Sequence, residues 1–207
     1  MIIVIEGNKG TGKTTISRKL EKLPKSNIVY INTFAHPNFL PSLRAYLISN
    51  LKNHLLVQYL YYLTLCQITS NKIKDLNSPK TIFVLDRYIY STICIHLALD
   101  QIYNRGKNRN IIKNLADLSQ QSIAKPDLVI FLDVEEKKRL KRLKLRNKKI
   151  LNINFNSKYN KILMHEYAFV LKRIQKNGIK VIKVNGAQNI NKTLQAIALI
   201  VKKDGKI

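Results

Sequence analysis

The sequence predicts an α/β protein in which a five-stranded parallel sheet is covered by helices on both faces. Short apolar runs, typical of strands that are buried on both sides, alternate along the chain with longer segments of helical pattern. The first run ends in a glycine-rich turn that leads directly into a helix. No repeat, linker or shift in composition divides the 207 residues, so we expect a single domain over residues 1–207.

Five apolar runs are the expected strands, and they cover residues 2–5, 27–31, 81–85, 127–132 and 179–184. The expected helices cover residues 13–23, 40–50, 51–71, 91–103, 108–122, 135–146, 157–176 and 189–202. Ligands of open parallel sheets bind at the carboxyl ends of the strands. The residues directly after each strand are therefore the first candidates for a functional site.

The chain carries a net charge of +25, because 37 Lys and Arg residues face 12 Asp and Glu residues. Such an excess attracts anions in general, and most of it comes from dispersed lysines, so we expect no specific nucleic-acid partner. No stretch reaches the ~18 apolar residues that cross a bilayer, which leads us to expect a cytoplasmic protein without membrane contact. Cys66 and Cys94 lack metal-ligand spacing, and their apolar surroundings indicate core packing.

The strongest motif is the turn after the first strand, where Gly7, Gly12, Lys13 and Thr14 satisfy the phosphate-loop spacing GxxxxGK[ST]. Glycines let successive backbone amides point at phosphate oxygens, Lys13 can reach the β- and γ-phosphates, and the Thr14 hydroxyl can hold Mg²⁺. We therefore expect ATP and Mg²⁺ to bind here. The predicted ATP-binding residues are Gly7, Asn8, Lys9, Gly10, Thr11, Gly12, Lys13, Thr14 and Thr15.

A second motif, Asp86 followed by Arg87, comes directly after the third strand. An aspartate at a strand end beside a phosphate loop can hold Mg²⁺ through water, and an arginine offers a planar fork for a second phosphate. We predict Thr14 and Asp86 as the metal site, and Lys13, Asp86 and Arg87 as catalytic residues.

The chain resembles the thymidylate kinase family over nearly its whole length. The resemblance rests on IEGNKGTGKTT at the N-terminus, FVLDRYIYST at 83–92, KPDLVIFLDV at 125–134 with Leu140, Arg142 and Arg146 beyond it, and Tyr159 with Tyr167. It implies a P-loop nucleotide kinase fold, transfer of the ATP γ-phosphate to dTMP to give dTDP, and a homodimer.

The resemblance also implies roles for single residues. Arg87 would face the acceptor phosphate, Ser91 and Thr92 would contact the acceptor nucleotide, and Arg142 would lie near the ATP base or phosphates. A basic lid over about residues 139–155 would cover ATP, with Arg146 as a catalytic residue. The other candidates for lid cations are Arg139, Lys148 and Lys149.

The acceptor side departs from the family pattern. Lys9 stands where the family has an acidic residue near the sugar, and Ile95 stands where a tyrosine packs against the deoxyribose. Residues 32–37 lack the family's acceptor-phosphate arginine, and helix 51–71 lacks the arginine that reads thymine. The donor side therefore matches the family better than the acceptor side does.

Two alternatives stay open. Gln58 and Gln67 resemble the deoxynucleoside kinases, in which a glutamine reads the base, but those enzymes need a general base after the second strand. The chain has Ala35, His36 and Pro37 there, which favours a nucleotide acceptor, with Gln58 as a candidate acceptor contact. The other alternative is a phosphate-loop protein that binds nucleic acid through its basic surface.

Overall fold

The computed structural model of the chain describes residues 1–23, 27–34, 41–50, 54–76, 80–145, 153 and 156–205. Within these residues lie five strands, β1 (Ile2–Glu6), β2 (Ile28–Asn32), β3 (Ile82–Asp86), β4 (Leu128–Asp133) and β5 (Lys180–Asn185). The helices are α1 (Lys13–Glu21), α2 (Pro41–Ser49), α3 (Leu55–Asp75), α4 (Ile89–Tyr103), α5 (Arg109–Ser122), α6 (Glu136–Leu145), α7 (Ser157–Lys176) and α8 (Ile190–Gly205). This confirms the predicted fold class.

All strand pairs are parallel, in the order β2-β3-β1-β4-β5. Each strand ends one residue later than the apolar pattern predicts, because backbone pairing continues through a polar residue: Glu6 pairs with Phe131, and Asp133 pairs with Asn185. The third helix differs more. Its described part begins at Leu55 and reaches Asp75, whereas the pattern predicts residues 51–71, of which 51–53 lie outside the described residues.

Two apolar layers hold the sheet between the helices. Alternate strand residues such as Val4 and Leu85 pack with α3, α4, α5 and α7 on one face. Their neighbours Ile5 and Val84 pack with α1 and α8 on the other face. The alternation follows from the two-residue period of a strand. As predicted, Cys66 and Cys94 are buried in the first layer as free thiols.

The register of β1 and β3 places the two sequence motifs side by side. Ile5 pairs with Asp86, so that the phosphate loop and the Asp86-Arg87 pair leave the sheet at neighbouring strand ends. The loop itself is a tight fit, since a Cβ on Gly7 would lie 2.6 Å from the Leu132 carbonyl oxygen. The loop is therefore pressed against the end of β4.

The close approach of Gly7 to β4 can be tested by measuring the stability of a variant. Gly7→Ala should lower the free energy of unfolding by about 1–3 kcal/mol more than Gly178→Ala, because it adds a clash with backbone to the strain of a positive φ. Gly178 is the matched control, since its φ is +81° and a Cβ at that position would meet no described atom within 4 Å. Urea unfolding of both variants gives the comparison. Equal losses would contradict the close approach.

Candidate active site

The phosphate loop lies between β1 and α1. Three of its residues, Gly7, Gly10 and Gly12, have φ angles of 139°, 93° and 100°, a region that side chains with a Cβ rarely adopt. Helix α1 begins at Lys13 directly after the loop, so the positive end of its dipole faces the space that the loop encloses. The backbone therefore has the form of an anion-binding cradle.

Lys13 is almost fully buried, with 5% of its surface exposed. Its Nζ donates hydrogen bonds to the Asn8 carbonyl oxygen at 2.7 Å and to the Thr11 hydroxyl at 3.4 Å. The ammonium group is thus already held inside the loop, where it could contact the phosphates of a bound nucleotide.

Thr14 and Asp86, the two residues predicted as the metal site, are in contact through a hydrogen bond. The Thr14 hydroxyl donates to Asp86 Oδ2, while Asp86 Oδ1 is buried and has no hydrogen-bond partner among the described residues. Those residues also contain no cluster of three or more His, Cys, Asp or Glu side chains that could hold a metal alone. One carboxylate and one hydroxyl fit Mg²⁺, which keeps waters and takes its other ligands from substrate phosphates.

Arg87 turns sharply out of β3. Its φ of 69° is unusual for a residue other than glycine, and its backbone N–H still donates to the Ile5 carbonyl oxygen at 3.1 Å. The guanidinium Nη1 donates to the Gly7 carbonyl oxygen at 3.3 Å and to the Ser91 hydroxyl at 3.0 Å. The strained turn thus places a cation beside the entrance of the phosphate loop.

Glu6 is fully buried behind Arg87, and no local sequence pattern predicts a role for it. Its carboxylate accepts hydrogen bonds from the backbone N–H groups of Tyr88 and Ser91, both at 3.1 Å, and from the Ser91 hydroxyl. Tyr167 donates a further bond at 3.3 Å. Burial raises the pKa of Glu6, and the positive charge of Arg87 and the bonds from Ser91 oppose that rise.

The electrostatics of Arg87 follow from the same surroundings. Burial lowers the pKa of Arg87, but the negative groups around it, including the carboxylates of Asp86 and Glu6, raise it above its ordinary value. Arg87 therefore stays charged, and its position is fixed from behind by Ser91.

A cavity of about 380 Å³ opens in front of these groups. Its charged lining comes from the phosphate loop, the start of α1 and the end of β3, with Lys9, Lys13, Thr14, Asp86 and Arg87. Its apolar and aromatic lining includes Phe34 after β2, Tyr62 of α3, and Ile95 and Leu99 of α4, and these two helices also contribute Gln58 and His96. A ligand with a phosphate and a planar ring would suit such a lining.

The structure separates the two glutamines of α3. Gln58 is buried, with 4% of its surface exposed, and lines the cavity; its contact with an acceptor stays a prediction. Gln67 instead bonds to Asn71 at 3.0 Å and to Ser122 at 2.9 Å. Gln67 therefore links α3 to the end of α5 and does not face the cavity.

Helix α6 packs against the outer side of the phosphate loop. Arg139 is buried, with 2% exposed, and its guanidinium donates to the Lys9 carbonyl oxygen at 3.1 Å. A Cβ on Gly10 would lie 3.1 Å from the Arg139 carbonyl oxygen, so the helix and the loop touch. Arg139, expected as a lid cation, is buried against the loop, because it lies on the same side of α6 as the buried Leu143, one turn away.

Arg142 connects the loop to the turn after β5. Its Nη1 donates to the Gly186 carbonyl oxygen at 2.9 Å and to the Thr11 carbonyl oxygen at 3.4 Å. Arg142 therefore lies beside the loop, and its place near the ATP base or phosphates stays a prediction.

The remaining predicted residues fall into three groups. Thr92 is buried and lines the cavity, whereas Thr15 is exposed on α1 and Ser91 lies behind Arg87 against Glu6. Arg146, Lys148, Lys149 and His36 lie outside the described residues, as does most of the predicted lid. Sequence reasoning missed Glu6, Arg44, His96 and the network at Tyr167, since no local pattern brings these residues together.

The fold and this site define a class of protein, a phosphate-loop phosphotransferase of the nucleotide kinase fold. Residues 5–197 match the sequence model of the thymidylate kinase family, and the chain belongs to that family. It is therefore an ATP-dependent phosphotransferase, and family membership supports dTMP phosphorylation as its activity.

Individual proteins agree with this assignment. The chain is 29% identical to a thymidylate kinase of Buchnera aphidicola subsp. Baizongia pistaciae (strain Bp) over 203 residues, covering 92% of this chain and 89% of that protein. It is 26% identical to a thymidylate kinase of Clostridium novyi (strain NT) over 215 residues, covering 97% of each chain.

Solved structures show the same fold. A deoxyadenosine kinase from M. mycoides with bound dATP superposes with a TM-score of 0.75 at 20% identity, covering 98% of this chain and all of that one (100%). Thymidylate kinase from Candida albicans superposes with a TM-score of 0.66 at 22% identity, covering 99% of this chain and 92% of that one.

None of the helices, over the described residues, is long and apolar enough to cross a membrane.

The role of the buried carboxylate can be tested by Glu6→Gln. The amide replaces one accepting oxygen with a donor and removes the negative charge behind Arg87, so we expect a loss of about 2–3 kcal/mol in stability. Because Arg87 then loses its fixed position, turnover should fall about tenfold.

The matched control is Glu21→Gln. Glu21 is an exposed carboxylate that accepts one backbone bond, from Tyr30 at 3.1 Å. The Glu21→Gln variant should keep its turnover, and its free energy of unfolding should fall by under about 1 kcal/mol. Urea unfolding and steady-state kinetics measure both effects, and two variants that behave alike would show that the Glu6 charge has no special part.

Proposed function

We propose that this protein transfers the γ-phosphoryl group of ATP to the 5′-phosphate of dTMP at the cavity between β1, β3, α3 and α4. The observation that carries the proposal is a single cavity that is lined both by Lys13, Asp86 and Arg87 and by aromatic side chains. A nucleoside monophosphate has the same division, with an anionic end and a planar apolar end.

The donor would bind along the phosphate loop. Backbone N–H groups of the loop and the N-terminus of α1 would hold the β-phosphate, and the Lys13 ammonium would leave the Asn8 carbonyl to contact the β- and γ-phosphates. Arg142, which already bridges the loop and the turn at Gly186, would lie at the adenine end.

Thr14 and Asp86 would hold Mg²⁺. The fit rests on Asp86 Oδ1, which has no partner among the described residues and which a metal-bound water could satisfy, and on the Thr14 hydroxyl beside it. When bound, Mg²⁺ neutralises charge on the phosphate oxygens during transfer.

The acceptor phosphate would lie between two arginines. Arg87 faces the cavity from the end of β3, and Arg44 of α2 lines the same cavity. Arg44 is supplied by α2, beyond the segment 32–37 that lacks the family's acceptor-phosphate arginine. Two guanidinium groups can pair with a phosphate dianion and hold it in line with the γ-phosphate.

A phosphate acceptor needs no general base, since it is already ionised at neutral pH. Catalysis by this chain then consists of positioning and of cations placed where charge develops. Arg146 and the other predicted lid cations would supply positive charge where negative charge develops during the transfer. A homodimer remains a prediction from the resemblance, and a cytoplasmic location remains a prediction from the composition of the sequence.

One observation favours a second candidate, a deoxynucleoside kinase. Gln58 lines the cavity, and a glutamine on this helix is the feature that resembles those enzymes. The acceptor would then be a free 5′-hydroxyl, and Asp86, a carboxylate that lines the cavity, would serve as its base.

An ATP-coupled ADP-release assay separates the candidates. We expect the highest kcat/KM with dTMP when dTMP, dUMP, dCMP, dGMP, UMP and thymidine are offered separately. Turnover with thymidine alone would establish the deoxynucleoside kinase in its place. Turnover with a different monophosphate alone would support phosphoryl transfer to a nucleotide but contradict thymine as the acceptor base.

Arg87→Ala tests the acceptor arginine. We expect kcat/KM for the monophosphate to fall about 10³-fold while ATP affinity stays within about twofold, because the fork that aligns the acceptor is lost but the loop is intact. Arg173→Ala is the matched control, since Arg173 is half exposed and pairs with Asp117 at 3.0 Å away from the cavity. Unaltered turnover in Arg87→Ala would remove Arg87 from the mechanism.

A further inference from the structure

Arg139 of α6 is a buried cation on the far side of the phosphate loop from the proposed site. Its side chain is 2% exposed, and it lines a cavity of about 400 Å³ together with Asn8, Glu136 and Asn160. The lining of the 380 Å³ cavity of the proposed site includes Gly10 but not Arg139. A Cβ on Gly10 would lie 3.1 Å from Arg139 Cγ, so the stem of the arginine packs directly against the loop backbone.

A closed chain of polar contacts joins the loop to α6 and α7. The Lys9 N–H donates to Asn8 Oδ1 at 2.6 Å, and the Asn8 side-chain amide donates to Asn160 Oδ1 at 3.2 Å. Asn160 donates in turn to Glu136 Oε1 at 3.0 Å, and the same oxygen lies 3.6 Å from Arg139 Nη2. Arg139 Nη1 closes the chain with a hydrogen bond of 3.1 Å to the Lys9 carbonyl oxygen. The N–H and the C=O of Lys9 are therefore both held in place.

The Lys9 carbonyl and the Gly10 N–H belong to one peptide group. The bond between these residues is trans, and in a planar trans peptide group the C=O and N–H bonds point in opposite directions. Because the carbonyl points to Arg139, the Gly10 N–H points away from α6, toward the side on which Gly10 lines the cavity of the proposed site. Arg139 thus sets the direction of a backbone donor.

Packing alone does not account for an arginine at this position. Burial lowers the pKa of Arg139, and the nearby carboxylate of Glu136 opposes that fall. Replacing a buried ion pair by apolar residues of similar volume is often neutral or stabilising. A guanidinium group, however, can hold a carbonyl and a carboxylate at once in a fixed geometry, which an apolar side chain cannot do.

We propose that Arg139 is a positioning residue for phosphoryl transfer, which turns the Gly10 N–H toward the phosphates of ATP by holding the Lys9 carbonyl. Glu136 and Asn160 would keep the guanidinium group in place. The Gly10 N–H would donate to a phosphate oxygen, and a backbone donor that is already oriented stabilises the negative charge that develops there. The inference rests on the donor half of the proposed function, because it requires ATP in the phosphate loop, but it does not depend on which acceptor is used.

The first test observes the Gly10 N–H directly by NMR. The sequence contains one Lys-Gly pair, Lys9-Gly10, and one Thr-Gly pair, Thr11-Gly12, so ¹⁵N-glycine combined with ¹³C-carbonyl lysine or threonine selects each amide by itself. The probe is the non-hydrolysable ATP analogue AMPPNP with Mg²⁺. In the unaltered protein it should move the Gly10 proton resonance downfield, as expected for an N–H that donates to a phosphate oxygen.

The comparison is with Arg139→Met. In this variant the downfield shift of Gly10 should be largely lost, because nothing then holds the Lys9 carbonyl on the α6 side of the loop. The Gly12 amide should keep its response, because the Thr11 carbonyl oxygen still accepts from Arg142. A Gly10 response equal to that of the unaltered protein would overturn the proposal.

The second test separates positioning from stability. Arg139→Met should lower kcat about 10- to 100-fold while KM for the acceptor stays within about twofold, because the donor that is lost acts on the transferring phosphoryl group. Methionine fills the space of the arginine stem, and Glu136 is 42% exposed, so its carboxylate stays in water and the urea midpoint should change little. A lower urea midpoint with unaltered kcat would show a structural role and overturn the proposal. The matched control is Arg173→Met, which removes a half-exposed arginine paired with Asp117 and should leave kcat and both glycine responses unchanged.

The third test asks whether Asn160 acts through Arg139. Asn160→Leu removes the hydrogen bonds to Asn8 and Glu136 and leaves Arg139 in place, so kcat should fall by about 3- to 10-fold. If both residues act on the Lys9 carbonyl, the double variant Arg139→Met/Asn160→Leu should lose no more than Arg139→Met does. Losses that multiply in the double variant would remove Asn160 from the proposal.

The two proposals can fail separately. If neither the Gly10 amide nor the Gly12 amide of the unaltered protein responds to AMPPNP, the proposed donor site is wrong. If the Gly12 amide responds and the Gly10 amide does not, the proposed function stands and the role of Arg139 is overturned.

Discussion

The parallel pairing of β1 with β3 is the constraint on which the site depends. Because Ile5 pairs with Asp86, the phosphate loop and the Asp86-Arg87 turn leave the sheet next to each other. The Arg87 N–H continues the ladder to the Ile5 carbonyl oxygen, and its positive φ then turns the side chain toward Gly7. A slip of one residue would exchange the two faces of the strand and take Asp86 away from Thr14.

The charges of the site are held by groups buried behind it. Glu6 receives hydrogen bonds from two backbone N–H groups and two hydroxyls, and Arg87 is fixed by Ser91 from the same side. Burying these charges is costly, and the bonds around them offset that cost. The result is a cation held in a fixed position, as the proposed role of Arg87 in electrostatic catalysis requires.

The lining of the cavity is built in two ways. One part comes from consecutive residues of the phosphate loop and from the strand end beside it, while the other part combines Arg44, Gln58 and His96 from α2, α3 and α4. The first construction leaves a motif in the sequence, and the second leaves none. The departures from the family pattern at Lys9 and Ile95 also fall on the walls of this cavity.

The sequence by itself determined the fold class, the strand positions to within one residue, the phosphate loop and the Asp86-Arg87 pair, because these follow from local periodicity and spacing. The tertiary structure decided the rest. Only helix packing shows that Arg139 supports the loop, that Ser91 turns to Glu6, and that Gln58 but not Gln67 faces the cavity. Residues far apart in sequence meet there through long-range contacts, which no local pattern encodes.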